Sequence, residues 1–380
     1  MNKKRIGILT MHRVQNYGSA LQAYALQEYI NRLGYDAELI DYIFPNGKHK
    51  QRRSLKKSIK STLFKWIFCL PILRKNKRFA RFYSDYYKCS EQRFDNPQGL
   101  MQYEYPYDIL MTGSDQVWNP IHILTDTSFF LPFAHPHTPK VAYAPSFSVA
   151  SVPEEFNTTI RSYVEGYSHI SVREKSGIDI IKALTDKEVS LVCDPTLLLT
   201  KEDWGALAER SDYKIEGPYI LVYVLSYAYN PYPEINAIIE KVQQELGLPL
   251  ILLDAPFLDM KFKNARFIKD AGPLDFLHLV KNASFIITTS FHGTAFALNL
   301  GIPFYSVIKD RSGFDTRMMD LIDAVDADRA IVYDEPIDKP LTMDFENIEK
   351  RVAEMRQHSQ AYIKNSLSDC LQTSSLIEES

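Results

Sequence analysis

Four short polar segments of this 380-residue chain carry the groups best suited to chemistry, and each follows an apolar run typical of a buried strand. They are MHRVQNYGSA (11–20), DILMTGSDQVWNP (108–120), HISVREKSG (169–177) and FIITTSFHGTAF (285–296). In open parallel sheets, ligands bind beyond the carboxyl ends of the strands, where loops lead into helices. The four segments therefore predict sites for an anionic or hydroxyl-bearing ligand.

His292 is the residue in these segments that best suits proton transfer. The pattern predicts a strand, a turn and a helix beginning near Gly293, which places His292 at a helix N-terminus beside Ser290 and Thr294. A helix start stabilises phosphate, and a histidine titrates near neutral pH, so a general acid beside an anion is expected. A single histidine is more often structural, but its polar neighbours favour the functional interpretation.

Arg173 follows the apolar strand of the third segment. A guanidinium at that position can hold a phosphate or a carboxylate with two parallel hydrogen bonds. The alternative is a local ion pair with the adjacent Glu174, which is common on protein surfaces. The sequence alone leaves both interpretations open.

The second segment presents a set of polar groups beside an indole. Aromatic faces pack on sugar C–H groups, while amides, hydroxyls and carboxylates bind sugar hydroxyls. We therefore predict an acceptor-binding role for this segment, although Asp115 could be a helix cap and Trp118 a core residue. The predicted set comprises Ser114, Asp115, Gln116, Trp118 and Asn119.

The first segment contributes Asn16, Gly18 and Ser19 ahead of a predicted helix. Gly18 allows close backbone approach, and the exposed N–H groups at the helix start favour anions or hydroxyls. A cap and a tight turn are the structural alternative. The segment is not GxGxxG, so no dinucleotide is predicted.

The elements that position these segments predict an α/β fold. Arg5–Thr10 and Ala37–Tyr42 read as strands on either side of an amphipathic helix, a βαβ unit that implies a parallel sheet. The alternation restarts after Pro218. We predict two Rossmann-like, doubly wound domains facing each other across a cleft, followed by a C-terminal helix. The predicted bounds are 1–205 for the first domain, 206–342 for the second and 343–380 for the helix and tail.

A basic amphipathic insertion interrupts the first domain. Residues 48–81 contain 13 Lys and Arg and no Asp or Glu, interleaved with Leu, Ile, Phe and Trp. One interpretation is a solvated helical hairpin that covers the sheet edge. The other is a landing surface for anionic lipid or a lipid-diphosphate carrier. Nucleic acid is a weaker third interpretation.

Composition narrows the class of protein. A net charge of -3 gives no overall bias toward nucleic acid, and no nucleic-acid partner is predicted. The four cysteines lie far apart without a CxxC pair, which argues against a disulfide framework or a zinc site. No stretch is long and apolar enough for a signal peptide or a membrane span, so a cytoplasmic protein is expected.

Taken in order, these motifs resemble the polysaccharide pyruvyl transferase family. The resemblance runs from ILTMHRVQNYGSALQAYALQ through DILMTGSDQVWNP, SVREKSG and VCDPTLLL to TTSFHGTAFALNLGIPF, over most of residues 5–310. It implies a fold similar to GT-B glycosyltransferases and phosphoenolpyruvate as donor substrate, with no cofactor or metal. It also implies that pyruvate is moved onto a sugar hydroxyl pair as a ketal, in surface or capsular polysaccharide biosynthesis. The acceptor would be a sugar or a lipid-linked oligosaccharide, His292 the general acid and Arg173 a donor ligand.

One position departs from the family pattern. Many members have an arginine two positions before the histidine, and this chain has Ser290 there. Lys309, Arg311 or Arg317 on the next loop would have to supply the missing cation. Two other functions stay open: a nucleotide-sugar glycosyltransferase of the same fold, and a non-catalytic glycan-binding protein.

Overall fold

In the computed structural model, the described residues are 3–44, 62–124, 126–226, 229–254, 262–310, 316–332, 335, 337 and 339–378, with side chains described outside 62–69 and 374–378. These residues form two parallel sheets with helices packed on both, which confirms the predicted α/β class.

Within the described residues the first sheet has seven parallel strands, in the order β3-β2-β1-β4-β5-β6-β7. Its strands are β1 (Arg5–Leu9), β2 (Asp36–Tyr42), β3 (Cys89–Phe94), β4 (Ile109–Thr112), β5 (Lys140–Ala142), β6 (His169–Val172) and β7 (Val189–Leu191). The central strands are almost wholly buried apolar runs, as expected for a parallel sheet covered by helices on both faces.

The second sheet repeats this arrangement with six strands among the residues described, in the order β10-β9-β8-β11-β12-β13. Its strands are β8 (Ile220–Tyr223), β9 (Leu250–Leu253), β10 (Ala265–Ile268), β11 (Phe285–Thr288), β12 (Phe304–Ile308) and β13 (Ala330–Val332). Both orders are those of a doubly wound Rossmann-like sheet.

The helices connect successive strands and cover both sheets. They are α1 (Tyr17–Arg32), α2 (Thr62–Tyr86), α3 (Pro97–Met101), α4 (Pro120–Ile123), α5 (Asn157–Val164), α6 (Lys175–Leu184), α7 (Lys201–Ala208), α8 (Ile235–Leu246), α9 (Pro273–Lys281), α10 (Phe291–Leu300), α11 (Thr316–Ala324) and α12 (Phe345–Glu378). None of those in the described part of the chain combines the length and apolar character that a bilayer crossing requires.

The predicted boundary between residues 205 and 206 falls inside α7. A capping box between Thr200 and Asp203 starts this helix, which packs most extensively on α9 of the second domain. Trp204 is fully buried and lies edge-on to Phe296, with ring centroids 5.1 Å apart. The most extensive packing of α7 is therefore with the second domain, although Asp203 also pairs with Arg32 of α1.

The two domains pack directly on each other near the ends of β1 and β8. The ring of Tyr17 at the start of α1 stacks on Phe276 of α9, with centroids 5.0 Å apart, and Phe276 meets Tyr223 at 5.2 Å. These rings belong to one continuous apolar core with residues from both sheets. The predicted cleft is therefore closed here by aromatic packing, and its polar part lies farther along the interface.

Helix α12 crosses from the second domain back to the first. Near its start, Arg356 donates to the carbonyl of Leu197 at 2.7 Å and to Asn299 Oδ1 at 2.8 Å. Farther along, the Ser359 hydroxyl accepts from the Cys193 N–H at 2.8 Å, and the Tyr362 hydroxyl donates to the carbonyl of Ala142 at 3.0 Å. The predicted C-terminal helix is thus present and holds the two domains together.

The described part of the basic insertion is α2, which joins the domains; residues 48–61 of the predicted insertion lie outside the described residues. Lys75 pairs with Asp254 of the second domain, and Arg78 Nη1 donates to the carbonyl of Asp270 at 2.9 Å. Phe79 is buried in the shared core. One face of α2 therefore covers the domain interface and not merely a sheet edge.

Candidate functional site

Both sheets reverse their strand order beside the strands that carry candidate residues. The reversal falls between β1 and β4 in the first sheet and between β8 and β11 in the second. At such a point the loops after the two strands diverge to opposite faces and leave a crevice. The loops after β1, β4 and β11 are three of the four predicted segments, so topology alone brings them to the domain interface.

His292 lies in the first turn of α10, which begins at Phe291, two residues before the predicted start near Gly293. The hydroxyl of Ser290 caps this helix by accepting from the Gly293 N–H at 3.2 Å. The imidazole is 7% exposed and packs directly over Gly18 of α1. A Cβ at Gly18 would lie 2.1 Å from the ring Cγ and 2.2 Å from Nδ1. Packing of the imidazole therefore requires glycine at position 18.

A buried ion-pair cluster of the first domain faces this ring. Asp194 Oδ2 lies 3.6 Å from His292 Nε2 and accepts from Arg173 Nη1 at 2.6 Å. Arg173 Nη2 lies 3.7 Å from Asp115 Oδ1. The side chains of Arg173 and Asp194 are fully buried. Arg173, predicted from its place after a strand, is therefore next to His292 although the two are far apart in sequence.

Two carboxyl groups of the cluster, those of Asp194 and Asp115, have lowered pKa values. Burial by itself would raise the pKa of Asp194, but the charges of His292 and Arg173 outweigh burial and hold that pKa well below its ordinary value. The same balance applies to Asp115, where Arg173 and then His292 outweigh burial and lower the pKa. The site therefore holds two carboxylates that stay ionised at neutral pH, with a guanidinium between them.

Asp115 is held in an unusual backbone conformation. Its φ is +82°, in the left-handed region that non-glycine residues seldom adopt. One carboxylate oxygen accepts from the Ser19 hydroxyl at 2.5 Å, and the other accepts from the Gln116 N–H at 2.8 Å. Such strain persists only where surrounding contacts maintain it, and it concentrates at functional sites. Ser19 and Asp115 are thus brought together, as the two predicted segments require.

Phe291 lies between two arginines at the helix start. The Arg173 Cζ is 4.6 Å from the centre of its ring, and the Arg317 Cζ from α11 is 5.6 Å away. With the Gln116 amide oriented so that its oxygen faces Arg317, that oxygen accepts from Nη1 at 3.1 Å and from Nη2 at 3.0 Å. Arg317 of α11 therefore brings a second cation to the site, whereas residue 290, directly before Phe291, is a serine.

Several donors in this cluster are buried without a hydrogen-bond partner. They are His292 Nε2, which donates when protonated, and Arg173 Nε and Nη2. Buried polar atoms are almost always satisfied in native proteins, and unsatisfied ones mark strain, catalysis or a missing ligand. Donors from an imidazole and a guanidinium at a helix N-terminus match the oxygens of a small anion.

Three residues of the second segment turn out to have structural roles, which corrects their predicted acceptor contacts. Trp118 is fully buried and stacks on Phe130 at 5.1 Å, so its indole is not available to a sugar. The Asn119 side chain caps α4 by accepting from the Ile121 N–H at 3.0 Å. Ser114 is fully buried, and its hydroxyl donates to a main-chain carbonyl.

Residues around the two helix starts likewise maintain local structure. Asn16 caps α1 by accepting from the Ser19 N–H at 3.1 Å. A Cβ on Gly293 would lie 2.5 Å from the Thr288 hydroxyl, so packing requires glycine there. The Thr294 hydroxyl is buried and shares a hydrogen bond of 2.6 Å with Ser306. These contacts maintain the local structure around the predicted site. They engage the side chains of Asn16, Ser290 and Thr294, which are therefore not presented to a ligand, and they require glycine at position 293.

The predicted replacements for the missing arginine differ in position. Lys309 is exposed just after β12. Arg311 lies outside the described residues. Arg317 is the candidate that the structure places beside Phe291 and Gln116.

In the described part of the chain, potential metal ligands converge at His12, Asp41 and Cys89. Guanidinium groups already occupy this carboxylate, since Arg13 donates to both oxygens at 2.7 Å and Arg93 donates at 2.8 Å. Arg13 also contacts the Cys89 sulfur at 3.6 Å. Positive charge at this position disfavours a cation, so the group is an ion-pair network of the first sheet.

A cavity of about 270 Å³ adjoins the ion-pair cluster. Its lining includes Arg173, Asp194 and Phe291, together with Asp320 of α11 and Glu354 of α12. These two carboxylates would repel a dianion. The anion site is therefore better matched by the unsatisfied donors at the start of α10 than by this cavity.

Two members of the cluster were not predicted as site residues. Asp194 directly follows the β7 region and precedes Pro195, so the same strand-end argument that singled out Arg173 applied to it. Glu174 is fully buried, and its Oε1 accepts from the N–H groups of Phe147 and Ser148 at 2.8 and 3.2 Å. The local ion pair expected between Arg173 and Glu174 is present, with Arg173 Nε 3.9 Å from Glu174 Oε2, but it is buried and not on the surface.

Solved structures with the same fold include a UDP-GlcNAc 2-epimerase and a protein solved with UDP. UDP-GlcNAc 2-epimerase of Methanocaldococcus jannaschii, in complex with UDP-GlcNAc and UDP, is 11% identical over 93% of this chain and 99% of that chain, with a TM-score of 0.54. S. aureus MnaA with UDP is 12% identical over 95% of this chain and 91% of that one, with a TM-score of 0.51. At these identities the likeness shows the GT-B-like fold alone. The comparison with curated proteins gives no match.

The family model described as polysaccharide pyruvyl transferase matches residues 16–310. The match includes all four polar segments of the site apart from the first residues of the loop after β1. It covers well over half of the chain, and the chain therefore belongs to the polysaccharide pyruvyl transferase family.

Proposed function

We propose that this protein transfers pyruvate from phosphoenolpyruvate onto two hydroxyls of a sugar, forming a cyclic ketal and releasing phosphate. The observation that supports this most directly is the His292 imidazole. Its Nε2 is buried without a hydrogen-bond partner, 3.6 Å from Asp194, at the start of α10 and beside Arg173. A proton donor next to unsatisfied cationic donors suits a substrate that is both anionic and protonated at carbon.

The reaction begins when protonated His292 gives its proton to the methylene carbon of phosphoenolpyruvate. The adjacent carbon becomes oxocarbenium-like, and one sugar hydroxyl adds to it while its proton restores the imidazolium. The bond between that carbon and the phosphate oxygen then breaks, and phosphate leaves with the electron pair. The second hydroxyl closes the ketal and its proton passes to the phosphate, so two hydroxyl protons account for the new methyl hydrogen and for hydrogen phosphate.

Arg173 and the α10 N-terminus stabilise the negative charge of the donor throughout. Fixed donors aimed at developing charge often supply the largest part of enzymatic rate enhancement. Arg317 of α11 supplies a second cation. It takes the place of the arginine that many family members have at the position of Ser290. The two guanidiniums near Phe291 repel each other unless an anion lies between them, so donor binding should be tightest when both are present.

The acceptor is bound on the first-domain side, where Ser19, Asp115 and Gln116 lie. The acceptor is a sugar or a lipid-linked oligosaccharide, in surface polysaccharide synthesis in the cytoplasm. Asp115 accepts from Ser19 in the free protein, and a sugar hydroxyl replaces that donor in the complex. The scheme has no step that requires a metal or a cofactor.

The donor is identified by thermal unfolding with phosphoenolpyruvate and with a panel of UDP and GDP sugars. A ligand present at 100 times its dissociation constant stabilises the folded protein by about 2.7 kcal/mol. We expect this shift with phosphoenolpyruvate, and a much smaller one in Arg173→Gln or Arg317→Gln. A shift with nucleotide sugars alone would contradict the proposal.

A nucleotide-sugar glycosyltransferase is the second candidate function. It is favoured by the GT-B-like fold, which this chain shares with a protein solved in complex with UDP-GlcNAc and UDP. A helix N-terminus with two arginines also suits a diphosphate. Sugar transfer from a UDP or GDP sugar, without use of phosphoenolpyruvate, would support this alternative.

A further inference from the structure

Three large apolar side chains are exposed within four residues of α2. Leu70 is 39% exposed, Ile72 60% and Leu73 60%. Single exposed apolar residues are ordinary on protein surfaces, but a contiguous group marks an interaction site. Among the described residues, the other large exposed apolar side chains are Ile43, Met101, Ile121 and Leu124, which belong to other elements.

Leu70 and Leu73 belong to the outer side of α2, whereas the inner side of this helix packs on the second domain. Lys75 and Arg78 pair with second-domain carboxylates, and Phe79 enters the shared core. Leu70 and Leu73 lie three residues apart and Lys77 a further four along, the spacing of one helical face. That face points away from the domain interface.

Basic residues are mixed with the apolar group on this side. The side chain of Arg74 is 66% exposed, with Asp270 no nearer than 3.8 Å, and Lys77 is also exposed. The sequence before it, residues 48–69, adds eight Lys and Arg and no Asp or Glu. Apolar residues among cations match a lipid bilayer, in which anionic headgroups cover apolar acyl chains.

The same helix lies beside the candidate active site. The Lys75 ammonium is 4.8 Å from the centre of the Tyr17 ring, and Gln15 donates to Asn76 at 2.9 Å. Tyr17 directly precedes Gly18, on which His292 packs. A membrane contacted by the outer face of α2 is therefore one helix away from the site.

We propose that the outer face of α2, formed by Leu70, Leu73, Arg74 and Lys77, docks the protein on an anionic lipid bilayer. The apolar side chains enter the region between headgroups and acyl chains, while the two cations contact lipid phosphates. The exposure and spacing of these α2 residues support the docking surface whether or not the protein transfers pyruvate. Nucleic acid would leave the apolar group without a partner, and a second copy of the chain would place cations against cations.

Sedimentation of the full chain with vesicles tests the proposal. We expect binding to vesicles of equal phosphatidylglycerol and phosphatidylcholine, strong at low salt and weak at high salt, and little binding to phosphatidylcholine alone. Each basic residue near an anionic surface changes the partition coefficient about fivefold. Arg74→Gln with Lys77→Gln should therefore reduce it about 25-fold, and Leu70→Glu with Leu73→Glu should remove binding.

Ile121→Glu with Leu124→Glu is the matched control, because these two side chains are 67% and 69% exposed on α4. This variant should bind vesicles like the unmodified chain. Folding of every variant is checked by its melting temperature, and turnover of phosphoenolpyruvate with a soluble acceptor should be unchanged. The proposal is overturned if the intact chain ignores anionic vesicles, if the control loses binding equally, or if the α2 variants change only a dimer into a monomer.

Discussion

His292 is held in place by both domains. Its position depends on the space left by one neighbour without a side chain and on the charges of others. Gly18 leaves room for the ring, and Asp194 faces Nε2 at 3.6 Å. Arg173 in turn fixes Asp194 through a hydrogen bond of 2.6 Å. A change at any of these positions should therefore act through the geometry of the imidazole.

Gly18→Ala should greatly reduce turnover without contact between residue 18 and substrate. The new Cβ would lie 2.1 to 2.4 Å from three atoms of His292, so the ring or the start of α10 must move. A displacement of about 1 Å can cost on the order of a hundredfold in rate, and overpacking costs about 1–3 kcal/mol in stability. Gly205→Ala is the control, since its nearest neighbour is 3.7 Å away, and it should leave kcat unchanged. Equal kcat in both variants would show that Gly18 does not set the ring position.

Asp194→Asn should destabilise the protein most near neutral pH. The lowered pKa of Asp194 means that its stabilising contribution is present above the ordinary carboxyl pKa of about 3.9 and is lost as pH falls through the lower folded value. Removing this charge leaves Arg173 buried with a weaker partner, which costs about 3–5 kcal/mol. Urea unfolding at pH 6 and pH 3 should show the difference from wild type shrinking at the lower pH.

The exposed carboxylate Asp186 provides the control for that comparison. Asp186→Asn should change the free energy of unfolding at pH 6 by less than about 0.5 kcal/mol. A deficit of Asp194→Asn that grew as pH fell would contradict the buried ion pair.

At the scale of elements, the C-terminal helix fixes the segment that carries Asp194. The Ser359 hydroxyl on α12 accepts from the Cys193 N–H at 2.8 Å, one residue before Asp194, and it is fully buried. Ser359→Ala leaves this N–H without an acceptor and should cost about 1–3 kcal/mol in unfolding free energy. Ser368→Ala, on an exposed part of the same helix, should have little effect. Equal stability of the two variants would mean that α12 does not restrain this segment.

Strands of the sheet interior could be predicted from sequence, whereas the edge strands β3 and β10 could not. β1, β4 and β11 are continuous apolar runs because helices cover both faces. β3 and β10 are edge strands with polar, partly exposed side chains, so they lack the pattern that marks a buried strand.

The candidate site shows the same limit. His292 and Arg173 were predictable because polar residues after buried strands meet at one edge of a sheet. Whether the Trp118 indole faces a ligand or the core was not predictable, because an indole near polar residues suits a sugar site and a core equally well. Only packing on Phe130 decides between them. Arg317 approaches from a separate helix, so its contact with Phe291 depends on tertiary structure alone.

At the scale of the whole molecule, the two domains share one apolar core. Tyr17 and Phe79 of the first domain pack in the same cluster as Tyr223 and Phe276 of the second. Helix α2 binds the second domain, and helix α12, which starts in the second domain, binds the first, in each case through hydrogen bonds. The domains are therefore expected to stabilise each other and not to fold as independent units.

Unfolding in urea should accordingly be a single transition. Trp118 reports on the core of the first domain, whereas Trp204 lies between Tyr24 of the first and Phe296 of the second. Because loss of one domain exposes the shared core, tryptophan fluorescence and far-ultraviolet circular dichroism should give coincident curves. Two separated transitions would show that the interface is weaker than its packing indicates.

The most direct test of pyruvyl transfer is incubation with phosphoenolpyruvate and a library of galactosides, glucosides and mannosides, with phosphate release and product mass measured together. We predict a pyruvate-sized mass gain on one acceptor and an equal amount of phosphate. In His292→Gln both should fall by about two decades or more, the usual contribution of a general acid, while the exposed His135→Gln retains activity. Full activity in His292→Gln, or transfer of a sugar in place of pyruvate, would contradict the account.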